Sequence, residues 1–357
     1  MSLAIAFVLG LLVVAIVLFA TEKLSVDIIT FLLLIALVMG GVLTPAEVFE
    51  GFSNDIIIIL GAIFVISGAL QETGVLDMLG YRLLKVAGTS ANRLHFLIMS
   101  ASSGVSAFMN NTTVTAMLLP PVVSIARRAK LSPSKLLMSL AFASILGGAC
   151  TLIGTSTNVA VSGYIKKAGM GELGMFEITP IGLVIVAVGV AYMMLVGRWL
   201  LPDHKDTSLA TGYAIREYLS EIMVMPNSPL IGQRSFESDI VVNWMAPFGT
   251  WAILAGFFVL TIILTQPMSN AAAALVVLPI AIETANKLGA SPRSFAIGIM
   301  LAASVSFIAP FEPSCILVFG PGKYKFVDFV KVGVGLTVVL AVVVLLLLPV
   351  FWPLVGR

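Results

Sequence analysis

Residues 106–113 read Ser106-Ala107-Phe108-Met109-Asn110-Asn111-Thr112-Thr113, and residues 265–270 read Thr265-Gln266-Pro267-Met268-Ser269-Asn270. Each polar cluster interrupts an apolar run, 95–125 in the first case and 251–285 in the second. A helix broken inside a bilayer leaves backbone N–H and C=O groups unpaired, and this is tolerated only where they face protein, water or a bound solute. Two more apolar runs are broken in the same way. The run 136–164 carries Ile153-Gly154-Thr155-Ser156-Thr157-Asn158, and 295–319 carries Ala309-Pro310-Phe311-Glu312-Pro313-Ser314-Cys315. Four such breaks fit a transporter or channel better than a structural anchor.

The surrounding composition supplies the bilayer. Of 357 residues, 59% are hydrophobic and 11% charged, and mean hydropathy is +1.09. A soluble domain carries about 25% charged residues, so this chain cannot cover a water-facing surface. Uninterrupted spans are expected at 3–20, 26–42, 55–70, 178–201 and 331–351, each near the ~20 residues that cross a hydrocarbon core. The first has no basic leader and runs straight into the second, so it reads as a transmembrane helix. Net charge is +2, which gives no basic tail for nucleic acid. Cys150 and Cys315, His95 and His204 are too few and too scattered for a metal or disulfide framework.

The two opening clusters are halves of an internal repeat. A shift of 159 positions takes Asn110-Asn111 to Ser269-Asn270, Pro120 to Pro279, Ser132-Pro133 to Ser291-Pro292 and Ser106 to Thr265. With small slips, Gly154 faces Glu312, Glu177 faces Asp328 and Gly182 faces Gly333. The expected fold is an all-α polytopic membrane protein of inverted repeats, with two re-entrant hairpins and two broken helices. Its expected parts are a first repeat over 1–201 (scaffold 1–72, transport part 82–201), a cytoplasmic segment over 202–240, and the transport part of a second repeat over 241–357. Arg127, Arg128, Lys130 and Lys135 form one basic loop, which the positive-inside rule puts in the cytoplasm. An inverted second copy must then begin on the outer face, and 203–245 offers no crossing. Either the repeats are parallel or scaffold helices are missing from the sequence near 236–244; the second explanation is favoured.

The breaks suggest chemistry. Asn and Thr oxygens coordinate a hard cation such as Na⁺, while amide N–H groups, hydroxyls and helix N-termini receive an anion. Hydrogen-bonded glue between helices is the plainer reading of an isolated Asn, but an Asn-Asn-Thr-Thr cluster with a counterpart points to a site. Ala271 stands where the first copy has Thr112, so the two sites are related and unequal. Glu312 puts a carboxylate between two prolines at membrane depth, where ionisable residues are rare and usually functional. Neither tip carries a basic residue, so an anion there needs neutral donors and co-bound cations.

These residues resemble the divalent anion:sodium symporters of the ion transporter superfamily, whose paired hairpin tips carry Ser-Asn-Thr signatures. Here the tips read Asn110-Asn111-Thr112 and Ser269-Asn270-Ala271. The broken-helix runs from Ile153 and Gly320, and the stretch from Phe52 to Gly74, are similar to further family signatures. Residues 213–239 look like the start of a TrkA-C domain, as in the sulfate-permease-like subfamily. The resemblance implies a first Na⁺ site from Ser106, Asn110, Asn111 and the Gly154 backbone. It implies a second from Thr265, Ser269, Asn270 and the Ala309 backbone. The anion would lie between them, touching Asn111, Thr112 and Asn270 with Thr155 and Pro310 nearby. Asn110, Ala271 and Glu312 depart from the family pattern, and Glu312 is a candidate coupling carboxylate.

The expected function is therefore secondary import of a divalent oxyanion, sulfate first, coupled to Na⁺ by elevator-type alternating access in a homodimer. The expected location is a bacterial or cyanobacterial inner or plasma membrane. A Na⁺- or H⁺-coupled C4-dicarboxylate or citrate transporter is the alternative, and an anion channel a more distant one. The chain holds no nucleophile–base pair, phosphate loop or metal cluster that would make it an enzyme, and no cofactor is expected beyond the coupling ion.

Overall fold

The structure is a computed structural model that describes residues 26–45, 90–204, 249–266 and 268–354, with single positions at 7, 8, 10, 11, 14, 48, 65, 69, 72 and 73. The spans expected at 3–20 and 55–70 lie almost wholly outside the described residues, as do nearly all of the segment 202–240 and the TrkA-C-like stretch 213–239 within it. Two compact units divide the chain, one of residues 1–59 and 225–233, the other of 60–224 and 234–357.

In the first unit, α1 (Val26–Met39) is apolar apart from Asp27 and Thr30, and Phe31, Leu32 and Ile35 are exposed. It ends where Gly41 adopts φ 67°. Val42 then donates back to the Leu37 carbonyl at 3.0 Å, which satisfies one of the helix's last acceptors.

The second unit is helical throughout its described residues. Its helices are α2 (Ala91–Ser106), α3 (Asn111–Arg128), α4 (Ser134–Gly148), α5 (Ser156–Lys167), α6 (Thr179–Leu200), α7 (Gly249–Leu264), α8 (Asn270–Lys287), α9 (Pro292–Ser304), α10 (Pro313–Phe319) and α11 (Phe326–Phe351). Helices α6 and α11 are long and apolar enough to cross a bilayer. At 22 residues α6 rises about 33 Å. Helix α11 starts five residues before the expected 331 because the Asp328 carboxylate accepts the Lys325 N–H at 2.8 Å and caps it.

The helices form two series of matched length. Helices α2 and α7 have 16 residues each, and α3 and α8 have 18 each. Packing between the series is reciprocal. Helix α10 lies on α3 and α4, while α5 lies on α8 and α9. Two glycines make equivalent close approaches. A Cβ on Gly182 would strike the Ala149–Cys150 backbone, and one on Gly333 would strike the Phe307–Ile308 backbone. The core joins the series as well: Phe142 of α4 packs edge-on against Phe307 and Phe329, with centroids 5.1 and 6.0 Å away.

Polar contacts gather at two ends, and α6 and α11 run between them in opposite directions. At one end the Ser132 and Ser134 hydroxyls donate to the His204 and Pro202 carbonyls at 2.6 and 2.7 Å. Lys135 pairs there with Asp203 at 2.7 Å, and the Tyr324 hydroxyl donates to the Ser134 carbonyl. At the other end Arg293 donates to the Met170 carbonyl at 2.6 Å and to both Glu177 oxygens at 2.8 and 2.9 Å. Ser291 N–H bonds the Leu354 carbonyl there at 2.7 Å, and Trp352 donates to Glu177 at 3.3 Å. Helix α4 thus starts at the first end and α9 at the second. Described chain leaves the first end at His204. It resumes in α7, whose Trp251 indole donates to the Leu345 carbonyl, near the second-end terminus of α11.

Two predictions follow from this packing. Gly182→Ala and Gly333→Ala each force a methyl into backbone, and should lower stability by about 1–3 kcal/mol. Thermal unfolding in detergent should show both melting early, with Gly320→Ala, whose Cβ would meet open space, as the neutral control. At the second end, burial raises the Glu177 carboxyl, but bonds from Arg293, the Gly174 N–H and Trp352, with the Arg293 charge, outweigh it and hold it below the ordinary range. A lowered carboxylate stabilises fully above its unfolded value and loses that contribution as pH falls through its folded one. Melting temperature should therefore drop as pH falls below about 4.5, and Glu177→Gln should flatten that drop while lowering the midpoint at pH 7.

Candidate functional site

The first break spans residues 107–110, between α2 and α3. Helix α3 begins because the Asn110 side chain accepts the Thr112 N–H at 2.9 Å, satisfying one of the orphan donors of its first turn. The buried Ser106 hydroxyl donates to Asn111 Oδ1 at 2.8 Å. Asn111 is also buried, 7% exposed, and it opens α3, the helix on which α10, capped by Glu312, is packed. The helix that starts at the first tip therefore packs against the helix that starts at the broken loop of the second series.

The α4–α5 break packs beneath this tip. Its turn Leu152–Gly154 is 3₁₀, and Thr155 then caps α5 by accepting the Asn158 N–H at 3.2 Å. The Thr151 hydroxyl donates to the Ala107 carbonyl, tying this loop to the hairpin tip. A Cβ on Gly148 would run into Asn111 Oδ1 and lie 2.6 Å from Thr155 Cγ2, while one on Gly154 would meet the Gly148 backbone. Ser106, Asn111, Gly154 and Thr155 thus gather around Gly148. Asn158 was not singled out as a site residue, yet it holds the loop: its amide donates to the Gly148 and Thr151 carbonyls at 3.1 and 2.9 Å. Its buried Oδ1 has no hydrogen-bond partner.

The second series repeats the plan with other side chains. Ser269 caps α8 by accepting the Ala272 N–H at 3.2 Å. The buried Thr265 hydroxyl donates to the Ile262 carbonyl at 2.7 Å, within its own helix. Gln266 fills the position equivalent to Ala107 and does the tying that Thr151 does in the first series. Its Oε1 accepts the Ala309 N–H at 3.0 Å, and its Nε2 donates to the Ser306 hydroxyl and to the Ile262 carbonyl. Sequence alone marked Gln266 as part of the break but not as its cross-link. Asn270, Thr112 and Ala309 are half-buried and Pro310 is buried. Glu312 caps α10 by accepting the Ser314 N–H at 2.8 Å.

Two broken loops, each tied to a tip, give a polar patch inside apolar helices, rich in neutral oxygens and amides. Among the described residues no group of three His, Cys, Asp or Glu could hold a metal ion; the groups gathered here are hydroxyls, amides, backbone groups and the Glu312 carboxyl. A family model described as "Citrate transporter" (CitMHS) matches residues 16–229, more than half of the chain. The chain belongs to the CitMHS family. Members of this family are transporters, not enzymes.

Curated relatives of this CitMHS chain agree. It is 39% identical over 240 residues to the uncharacterized transporter YfbS of Escherichia coli K12, covering 64% of this chain and 39% of that protein. It is 31% identical over 211 residues to the probable sodium/sulfate cotransporter 3 of Chlamydomonas reinhardtii, covering 56% and 22%. It is 27% identical over 236 residues to the sodium-dependent dicarboxylate transporter SdcS of Staphylococcus saprophyticus, covering 62% and 44%. The chain therefore spans less than half the length of each.

The crowding at Gly148 yields a prediction. Gly148→Ala leaves helix α4 intact but pushes its methyl against Asn111 and Thr155. Solute binding at the first tip should weaken at least tenfold, with little change in detergent melting temperature. Binding measured by isothermal calorimetry with sulfate and Na⁺ would check it; unchanged affinity would remove Asn111 and Thr155 from the site.

Proposed function

We propose that this protein imports a divalent oxyanion, sulfate in the first instance, together with Na⁺. The observation that carries the reading is the packing of α3, which Asn111 opens at the first tip, against α10, which Glu312 caps at the broken loop of the opposite series. A substrate held between two tips of this kind touches both halves of the fold at once. In this reading Asn111, Thr112 and Asn270 donate to the anion, with Thr155 and Pro310 beside it. Ser106, Asn110, Asn111 and the Gly154 carbonyl hold one Na⁺; Thr265, Ser269, Asn270 and the Ala309 carbonyl hold a second.

Electrostatics supports cation coupling. A dianion in a low-dielectric site without basic side chains carries a large desolvation cost, which co-bound cations offset. Glu312 puts a carboxyl group in the broken loop of the second series, and we assign it as the coupling carboxylate. Relatives named sodium/sulfate cotransporters support the substrate choice, while the family's description and the dicarboxylate relative keep a C4-dicarboxylate or citrate as the second reading.

We further infer that the two series are inverted repeats with re-entrant hairpins. Support comes from α4 and α9 starting at opposite ends, and from the reciprocal packing of α5 and α10, the signature of a two-fold relation. Alternating access would then be an elevator-type motion of these helices against a scaffold including 1–72, in a dimer within the inner membrane.

Proteoliposomes decide between the substrates. Saturable uptake of radiolabelled sulfate, driven by an inward Na⁺ gradient and reduced at least a hundredfold by Asn111→Ala, is the expected result. Uptake of succinate or citrate without sulfate would transfer the assignment to the second reading, and uptake driven by a proton gradient alone would remove Na⁺ as the coupling ion.

A further inference from the structure

Away from the hairpin tips, a cavity of about 410 Å³ opens between the first turns of α2 and α4 and the last turn of α6. Asn92 and His95 of α2, Lys135 of α4, and Arg198, Trp199 and Leu201 at the end of α6 line it. We propose that this cavity holds the phosphodiester headgroup of an anionic glycerophospholipid.

Charge comes first. Lys135 and Arg198 bring two cations to the cavity from different helices, and its lining contains no acidic residue. The Arg198 guanidinium lies 5.1 Å from the centroid of the Trp199 ring. Among the described residues no carboxylate pairs with it. Lys135 contacts Asp203, but that carboxylate is 59% exposed and keeps its hydration when a phosphate shares the ammonium. The Asn92 amide adds a neutral donor for a phosphate or glycerol oxygen.

Position then favours a lipid over a free anion. The cavity sits where a bilayer-length helix ends, and Trp199 is 78% exposed there, as expected of an indole at headgroup depth. Leu195, one turn deeper on α6, and Phe96 on α2 are exposed too, giving acyl chains apolar surface just below the headgroup. The same end carries Arg127 and Arg128 in the last turn of α3 and Lys130 in the α3–α4 connection. The positive-inside bias assigns such an end to the cytoplasmic leaflet, where anionic lipids draw basic segments. The proposal rests on the chain spanning a bilayer, and on none of the anion-site assignments.

Native mass spectrometry of delipidated protein tests it, after incubation with equal amounts of phosphatidylglycerol and phosphatidylcholine of identical chains. Phosphatidylglycerol should be retained preferentially, and Lys135→Gln and Arg198→Gln should each weaken its retention about fivefold. Arg128→Gln, the same charge change at the same end but outside the cavity, should leave it unaltered. Arg198→Lys keeps the charge and should keep most of the retention, which separates a lost site from a lost fold. Equal retention of the two lipids, or an equal effect of Arg128→Gln, would overturn the proposal. Release of phosphatidylglycerol by millimolar inorganic phosphate would also overturn it, by assigning the cavity to a free anion.

Discussion

Backbone polarity inside hydrocarbon is the constraint on which everything else here depends. Each of the four breaks leaves N–H and C=O groups without helical partners between apolar helices, and each such group left unsatisfied in an apolar medium costs several kcal/mol. The protein meets that cost with short polar side chains acting as local substitutes for water. Asn110, Thr155, Ser269 and Glu312 cap the helices that restart after the breaks. Thr151, Asn158 and Gln266 hold the carbonyls and N–H groups of the loops. In the proposed function the oxygens and amides left over at the tips receive the solute, so the residues that make the breaks tolerable are also the ones proposed to bind it.

Packing turns four local breaks into one structure. Helix α10 leans on α3 and α4, and α5 leans on α8 and α9, so each series closes over the other's hairpin. Glycines at 154, 182 and 333 let backbones approach to distances that no other residue permits. Arg293 with Glu177 at one end, and Tyr324 with Ser134 at the other, fasten the connections between series. In the proposed function a solute at the tips touches both halves, which is the structural requirement for coupling a bound anion to a rearrangement of the whole unit.

Much of this was legible in the sequence because a bilayer is a severe solvent. Polar clusters at 106–113 and 265–270 stand out against apolar surroundings, and their common spacing from Pro120 and Pro279 exposes the repeat. Helix boundaries were less legible. Hydropathy marked α11 only from 331, whereas its polar first turn, capped by Asp328, starts at Phe326. Long-range polar ties were illegible: Gln266 reaches Ala309 and Arg293 reaches Glu177 across folds of chain that no local pattern encodes. Glu312 stands out in the sequence as a carboxylate at membrane depth, but the packing of the helix it caps against the helix that Asn111 opens emerges only in three dimensions.

The central claim is that both tips serve one solute. Equilibrium binding of radiolabelled sulfate to detergent-purified protein, titrated with Na⁺, tests it through Asn111→Ala, Asn270→Ala and the double variant. A shared site predicts Na⁺-dependent binding that either single substitution abolishes, with the double variant no worse. Na⁺-dependent binding that survives Asn270→Ala undiminished would contradict it, leaving a site built by the first tip alone.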